Sequence, residues 1–268
     1  MHMKHLPSFR AIAIFLLLTF FTFSTSGCGR ADEHVSLESI LENNLAAVRS
    51  DAQIGGVSST EKIVSISEAN YSLVARYRAS SSGTMRIDVF AEDTRVYSEG
   101  KDADGVWEWP GGQEAPANVY HDGVGALEHG IEFNLFSLAE LQGRGHTIKW
   151  VDQETIRENQ YYVLKITLSD GFENYRYVNA NTWLVDLSRD FRALHPAIDA
   201  TRKNVETRHD QWTTTDGITS AARSRDFDMT SGDLVQTGIV LQSKYNLPDD
   251  ELDLPRTYVP SEAPDTKR

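Results

Sequence analysis

The only cysteine of the chain, Cys28, stands where a signal peptide would end, and its thiol is placed for covalent modification. Lys4 and Arg10 lie in an N-terminal stretch without acidic residues, and residues 11–23 form an apolar run. Small and hydroxyl-bearing residues at 24–27 then precede the cysteine. This order is typical of a secretory signal peptide. This run of thirteen residues is too short for a membrane-spanning helix, which needs about 20. We therefore expect cleavage rather than a transmembrane anchor.

The segment Ser24-Thr25-Ser26-Gly27-Cys28 resembles the bacterial lipobox, although Thr25 stands where that pattern prefers leucine. The resemblance implies cleavage before Cys28 and acylation of its thiol, each buried methylene contributing about 0.8 kcal/mol to membrane attachment. Gly29 follows the cysteine instead of the aspartate that marks inner-membrane retention in well-studied enteric bacteria. We therefore expect a lipid anchor in the outer membrane, facing the periplasm. The alternative is an ordinary signal peptide that leaves a free thiol, which exported proteins rarely keep.

Sequence motifs for catalysis are absent: there is no Gly-x-Ser-x-Gly elbow, phosphate-binding glycine loop or His-Glu-x-x-His. The histidines have no metal-ligand spacing, so we interpret them as surface or turn residues. Asp102-x-Asp104-Gly105 begins like a calcium loop but lacks the later ligands, which favours a hairpin turn. Paired carboxylates could still serve acid–base chemistry, which keeps a hydrolase as a third hypothesis. We expect a non-enzymatic protein with neither cofactor nor metal ion.

The charge balance is strongly acidic, with a net charge of −13. Removing residues 1–27 leaves 24 basic against 39 acidic residues, a net charge of −15. Such a surface repels nucleic acid and anionic lipid headgroups. The charge therefore favours neutral or apolar ligands, or a basic patch on an envelope protein, as partners.

Two periodicities organise the rest of the chain. Apolar residues recur at three- and four-residue steps from Val35 to Arg49, which predicts an amphipathic helix that packs on a sheet. Between Pro116 and Gly145 the pattern predicts one or two short helices. β-Branched and aromatic segments separated by turn residues predict strands elsewhere. These strands are residues 63–66, 71–78, 84–90, 94–99, 106–109, 146–151, 161–169, 173–179, 183–187, 204–212, 221–229 and 234–244.

The predicted fold is mainly β (α+β): a single curved antiparallel sheet that forms an unclosed β-barrel covered by helices. In Met85-Arg86-Ile87-Asp88-Val89 the alternation predicts one dry and one wet face. Asp170-Gly171 predicts a tight hairpin turn. The predicted divisions are a signal peptide (1–27), a lipidated tether (28–34), the half-barrel domain (35–254) and a disordered tail (255–268).

Large apolar side chains exceed what one small sheet face needs. A closed barrel would fill itself with them, whereas an unclosed one leaves a cavity for a ligand. Both alternatives stay open at this point. The candidate cavity residues are Tyr71, Leu73, Tyr77, Met85, Ile87, Val89, Trp107, Trp109, Phe133 and Phe136.

The order and spacing of several segments resemble the LolA-like superfamily of periplasmic lipoprotein carriers, over about residues 36–254. The matching segments are residues 40–47 with Gly55-Gly56, 77–78 leading to 85–89, 104–107, 143–146, and 161–164 running to Asp170-Gly171. The resemblance implies an unclosed antiparallel barrel with a helical lid and a cavity that shields acyl chains or another long apolar ligand. It also implies a role in transport of lipid or lipoprotein to the outer membrane.

Two positions test how far the resemblance extends. Arg78 falls where the carriers place an arginine that contacts the lid, although Ala79 replaces the proline that usually follows. The loop Ala91-Glu92-Asp93 lacks the exposed leucine of the anchored receptor relative. The leading hypothesis is a lipid- or lipoprotein-binding module at the envelope. The alternative is a structural or protein-interaction subunit of an envelope complex, with a self-filled barrel.

The lipid anchor gives a direct prediction. Cys28→Ala should abolish incorporation of labelled palmitate and leave an uncleaved precursor or a soluble species, because the acylated thiol is gone. Fractionation of the wild type should place it with the outer membrane. Unchanged labelling of the variant would contradict the anchor, and recovery with the inner membrane would contradict the location.

Overall fold

A computed structural model gives the fold of the chain and describes residues 35–53, 55–119, 123–194, 199–248, 252 and 264–266. The predicted signal peptide, Cys28, the tether and most of the predicted tail lie outside these residues. The described part contains three α-helices: α1 (Leu37–Val48), α2 (Gly123–Leu135) and α3 (Leu138–Gly143). A 3-10 turn, Asp51–Gln53, follows α1. No helix in these ranges has the length and apolar character needed to cross a membrane.

All thirteen strands of the described residues belong to one antiparallel sheet. Every predicted strand overlaps an observed one, and the predicted helical stretch contains α2 and α3. The strands are β1 (Ser59–Glu68), β2 (Ser72–Ser80), β3 (Met85–Ala91), β4 (Thr94–Asp102), β5 (Gly105–Pro110), β6 (Ala117–Asn118), β7 (Thr147–Ile156), β8 (Asn159–Thr167), β9 (Glu173–Asn179), β10 (Val185–Arg192), β11 (Lys203–Thr215), β12 (Ile218–Asp228) and β13 (Leu234–Tyr245).

The strand order is β6-β5-β4-β3-β2-β1-β13-β12-β11-β10-β9-β8-β7. Strands β1 to β6 and β7 to β13 are therefore two runs of sequential neighbours, joined where β1 pairs with β13. The edge strands β6 and β7 do not pair with each other, so the sheet is not closed. This confirms the predicted unclosed antiparallel sheet covered by helices.

Helix α1 begins at a capping box rather than at the first apolar residue. The Ser36 hydroxyl accepts a hydrogen bond from the Ser39 amide at 3.2 Å, and the Ser39 hydroxyl accepts one from the Ser36 amide at 2.9 Å. Because Ser36 has extended backbone angles, the helix starts at Leu37 instead of Val35. Reciprocal capping satisfies two amides that the first helical turn leaves free.

The predicted apolar stripe of α1 packs on the sheet. Ile40 and Leu41 are buried in a cluster that joins α1 to α3 and to strands β7, β8 and β9. Burying each such side chain contributes about 1.5–3 kcal/mol. The other members of the cluster are Leu138, Leu141, Ile148, Tyr162, Leu164, Ile166, Leu168 and Val178.

A buried arginine connects the three helices to one another. The Arg49 guanidinium donates to Glu140 Oε1 at 2.8 Å and lies 2.6 Å from Glu140 Oε2. It also donates to the carbonyl of Leu135, the last residue of α2, at 3.0 Å. Glu140 in turn accepts from the Ser137 amide at 2.7 Å and so caps α3. The backbone of Arg49 forms a bridge with Ile218 at the start of β12, which ties the helical layer to the sheet.

Strand β10 begins two residues later than predicted. The sequence predicts Trp183 inside the strand, but its φ of 60° is a left-handed conformation outside the β region. Its amide donates to Asn179 O at 2.8 Å in a turn, and its ring stacks on Tyr162 at 5.6 Å. The strand therefore starts at Val185.

Gly100 in β4 gives a test of the packing. A Cβ at this position would lie 2.5 Å from the Met85 carbonyl oxygen and 2.6 Å from the Trp107 ring. Gly100→Ala should lower the free energy of unfolding by about 1–3 kcal/mol through overpacking, measured by urea denaturation. The control is Gly143→Ala, whose Cβ meets nothing within 4 Å. Equal stability of the two variants would contradict this packing.

Candidate ligand-binding cavity

Alternation along the strands gives the sheet two distinct faces. The inner face carries Tyr77 and Ile87 and is covered by the helices; the outer face is the opposite one. The Tyr77 hydroxyl donates to the Gly130 carbonyl of α2 at 3.1 Å, which identifies the side that faces the helices. Ile87 of β3 and Arg176 of β9 line the same cavity although seven steps of strand order separate them. The sheet therefore curves around its inner face.

Two adjoining cavities lie between the inner face and the helices. The large cavity, of about 1140 Å³, is bounded mainly by α2 and strands β9, β10 and β11. The small cavity, of about 450 Å³, is bounded by all three helices and by strands on both sides of the β1–β13 pairing. Phe133, Asn134, Arg176 and His209 line both. The two spaces therefore meet at these four residues.

Four of the predicted cavity residues line the small cavity: Tyr77, Ile87, Phe133 and Phe136. Their neighbours in its wall are largely apolar, although Lys62, Arg176 and His209 also face it. Its apolar lining residues include Val64, Ile66, Ala75, Leu138, Val185, Trp212 and Val240. The structure thus brings together residues from β2, β3 and α2 that are far apart in sequence.

The remaining predicted inner-face residues do not line either cavity. Met85 is 2% exposed and packs on Gly130 of α2, where a Cβ would lie 3.6 Å from the Met85 methyl carbon. Leu73 and Val89 are half-buried on the sheet. Tyr71 precedes β2 and is 42% exposed. A role for these four residues in holding a ligand stays a prediction.

Trp107 and Trp109 require a correction, because they lie on the outer face. Trp107 is in register with Gly100, which is in register with Arg86. The Arg86 guanidinium lies 5.5 Å from the Trp107 ring centroid, and that of Arg95 lies 4.6 Å from Trp109. Side chains along β5 point alternately to the two faces. Val106 faces inward, so Trp107 and Trp109 do not share a face with it. Both rings are buried on the outer face, and neither lines a cavity.

Known proteins were compared with this chain. No family model and no curated protein matches it. Among solved structures, a LolA superfamily protein from Nitrosomonas europaea matches with a TM-score of 0.53 and 15% identity over 81% of this chain and 97% of its own. A putative outer membrane lipoprotein-sorting protein domain from Vibrio parahaemolyticus matches with a TM-score of 0.54 and 9% identity, over 80% and 94%.

The chain has a LolA-like fold. The resemblance expected from the sequence is confirmed at this level. At these identities the two structures establish the arrangement of the sheet and helices.

Among the described residues, the polar contacts of Arg78 are with the sheet and with Leu252, not with the helices of this LolA-like fold as the resemblance implied. Arg78 follows Tyr77 in β2 and therefore points to the outer face, where its guanidinium pairs with Asp88 and donates to the Leu252 carbonyl at 2.8 Å. Arg86 also pairs with Asp88, at 2.8 Å. All three charged side chains are fully buried, which corrects the predicted wet face of β3. Arg49 holds the helices instead.

Polar residues form the β9–β11 wall of the large cavity. Arg192 donates to Asp190 Oδ2 at 2.6 Å and to Thr207 at 3.1 Å, and Asn174 donates to the same Asp190 oxygen at 2.8 Å. Thr207 donates to Asp226 at 2.6 Å. Sequence reasoning missed this network, because period-two alternation does not show that a polar residue faces inward. The network neutralises Arg192 with two carboxylates.

His209 lies where the two cavities meet, which corrects its interpretation as a surface or turn residue. Its Nε2 lies 3.4 Å from the Ser188 hydroxyl. Burial, followed by the charges of Arg176, Arg192 and Lys62, lowers the pKa of His209 to about 3, against the opposing effect of Asp210. The imidazole is therefore neutral at pH 7, and three cationic side chains lie around it.

The lowered pKa of His209 predicts a pH dependence. In the unfolded chain the imidazole takes up a proton near pH 6.5, whereas in the folded protein it does so only near pH 3. The contribution of neutral His209 to the free energy of unfolding is therefore fully present above pH 6.5 and is lost as the pH falls towards 3. At pH 5 the loss should be roughly 1–2 kcal/mol. Urea denaturation between pH 7 and 5 should show a shallower decline for His209→Gln, and parallel declines would contradict the buried position.

Proposed function

We propose that this chain is a lipid-anchored envelope protein that binds an acyl chain of a lipid or lipoprotein in the joined cavities. The observation that carries the proposal is the empty space itself, about 1140 Å³ adjoining about 450 Å³. Small-molecule sites in proteins typically have volumes of about 300–1,000 Å³ with largely apolar linings. The apolar wall of the small cavity fits a hydrocarbon chain, and the proposed activity is binding rather than catalysis.

The free energy available from the cavity suits a reversible carrier. Each acyl methylene moved from water to an apolar wall contributes about 0.8 kcal/mol. Eight to ten of them would supply roughly 6–8 kcal/mol before the cost of ordering the ligand. Binding in the micromolar range follows, which permits both loading and release. Lipid or lipoprotein transport to the outer membrane, facing the periplasm, is the cellular role that this affinity and the predicted lipid anchor support.

The alternative hypothesis, a protein-interaction subunit with a self-filled barrel, expected the apolar side chains to occupy the interior. Phe133 and Phe136 of the helical layer instead border open space, as do Tyr77 and Ile87 of the sheet. This favours the ligand-binding hypothesis. An envelope protein could still deliver or receive the bound lipid.

Ile87 provides the test of this proposal. Ile87→Gln adds a buried amide to the acyl-binding wall, which costs about 1–3 kcal/mol and should weaken palmitate binding by at least about fivefold. Glutamine is chosen because Ile87 is in register with Glu99, and a second carboxylate there would add repulsion. The measurement is native mass spectrometry of the full chain released from detergent micelles with added palmitate.

The matched control is Ile239→Gln in β13, where the isoleucine is 41% exposed and lines neither cavity. It should bind palmitate as the wild type does. Thermal unfolding of both variants separates lost binding from lost folding. Absence of a palmitate adduct on the wild type would reject the proposed function, and equal binding by a folded Ile87→Gln protein would reject the position of the acyl chain.

A further inference from the structure

Arg176 is a half-buried arginine that lacks an ion-pair partner among the described residues. It lies on the inner face of β9 and lines both cavities. Within the described residues its guanidinium forms no hydrogen bond or salt bridge, and its Nε is buried without a partner. Its guanidinium carbon lies 4.5 Å from the centroid of the Phe133 ring. A cation–π contact covers the face of the guanidinium and leaves its N–H edge available.

Asp190, the acid whose charge acts on Arg176, does not neutralise it. Asp190 raises the pKa of Arg176, but its carboxylate already accepts hydrogen bonds from Arg192 and Asn174. Burial nevertheless outweighs Asp190 and lowers the pKa of Arg176 to about 10. The guanidinium therefore remains charged at neutral pH. A buried charge without a partner costs free energy that an incoming anion would relieve.

Lys62 adds a second cation to the same place. It lies on the inner face of β1, lines the small cavity and forms no ion pair among the described residues. Its charge acts on His209, as does that of Arg176, so both cations lie close to that imidazole. His209 is itself uncharged at neutral pH and can accept or donate a hydrogen bond. The junction of the two cavities is thus positive inside a chain whose net charge is −13.

We propose that Arg176, assisted by Lys62, binds the carboxylate or phosphate headgroup of an anionic lipid whose acyl chain occupies the apolar small cavity. This inference rests on the proposed function and names its ligand class. The acidic exterior repels anionic headgroups at the surface. Inside, the cations at the cavity junction attract the headgroup of a lipid that has entered. Arginine can offer two parallel N–H groups to either anion.

The test is a competition between two ligands in one sample. The full chain in detergent micelles is mixed with equal amounts of palmitate and methyl palmitate, which share an acyl chain and differ in headgroup charge. Native mass spectrometry then gives the ratio of the two adducts. This ratio does not depend on the fraction of protein that is folded. The wild type should favour palmitate by at least about tenfold, as expected for a charge-assisted hydrogen bond.

Three variants locate the origin of the preference. Arg176→Gln should reduce the ratio to near one, while Arg176→Lys should retain a clear preference for palmitate. Arg223→Gln removes the same charge from a residue that pairs with Asp210 and lines neither cavity, and it should leave the ratio unchanged. Thermal unfolding without ligand separates a binding role from a structural one. Arg176→Gln should be at least as stable as the wild type, whereas loss of a structural arginine would lower the melting temperature.

The outcomes separate the two proposals. Equal adducts on the wild type, or an unchanged ratio in Arg176→Gln, would overturn the headgroup site while leaving acyl binding intact. The absence of both adducts would reject the proposed function itself. Inorganic phosphate in large excess distinguishes a lipid headgroup from a free anion. If phosphate alone forms a stable adduct and displaces palmitate, the site binds small anions and the lipid headgroup is rejected.

Discussion

The Arg49–Glu140 pair holds together the three helices that cover the inner face of the sheet. One guanidinium connects the end of α1 to the last carbonyl of α2 and to the capping residue of α3, while its backbone bridges to β12. The side chain of Arg49 is 3% exposed, so its contacts are made with little water present. Removal of Glu140 would leave this buried guanidinium without its carboxylate, which is destabilising. The apolar cluster would still join α1 to α3, but the polar link from both helices to α2 would be lost.

A second buried charge cluster serves the opposite face. Arg78, Arg86 and Asp88 are fully buried on the outer side, where the carbonyl of Leu252 also accepts a hydrogen bond. Trp107 covers Arg86 there. The sheet is thus covered on both faces in the region of β2 and β3, with apolar and aromatic groups inside and paired charges outside. Arg176 differs from these arginines because no carboxylate among the described residues is free to neutralise it.

Much of the architecture could be predicted from the sequence, but not the assignment of faces. Period-two alternation and turn residues located every strand of the described part except the two-residue β6, since both signals are local. Alternation correctly places Met85 and Ile87 on one face of β3 and Arg86 and Asp88 on the other. It does not show which face of the sheet is covered, and in this region both faces are buried. For the same reason Trp107 and Trp109 were assigned to the wrong face, and Arg176 and His209 could not be recognised as cavity residues. Their positions depend on strands β9 and β11 curving towards α2, which is a tertiary property.

The strand order also has a consequence for how the protein folds. Within each run of sequential strands, pairing needs only short hairpin loops, so each run can form from local contacts. The β1–β13 pairing instead joins residues such as Thr60 and Lys244, which are 184 positions apart. Such distant pairing bears the highest entropic cost of chain closure and slows folding. The small cavity takes wall residues from both runs, so it does not exist until that central pairing is made. A nascent chain would therefore lack the small cavity until its last strand has docked.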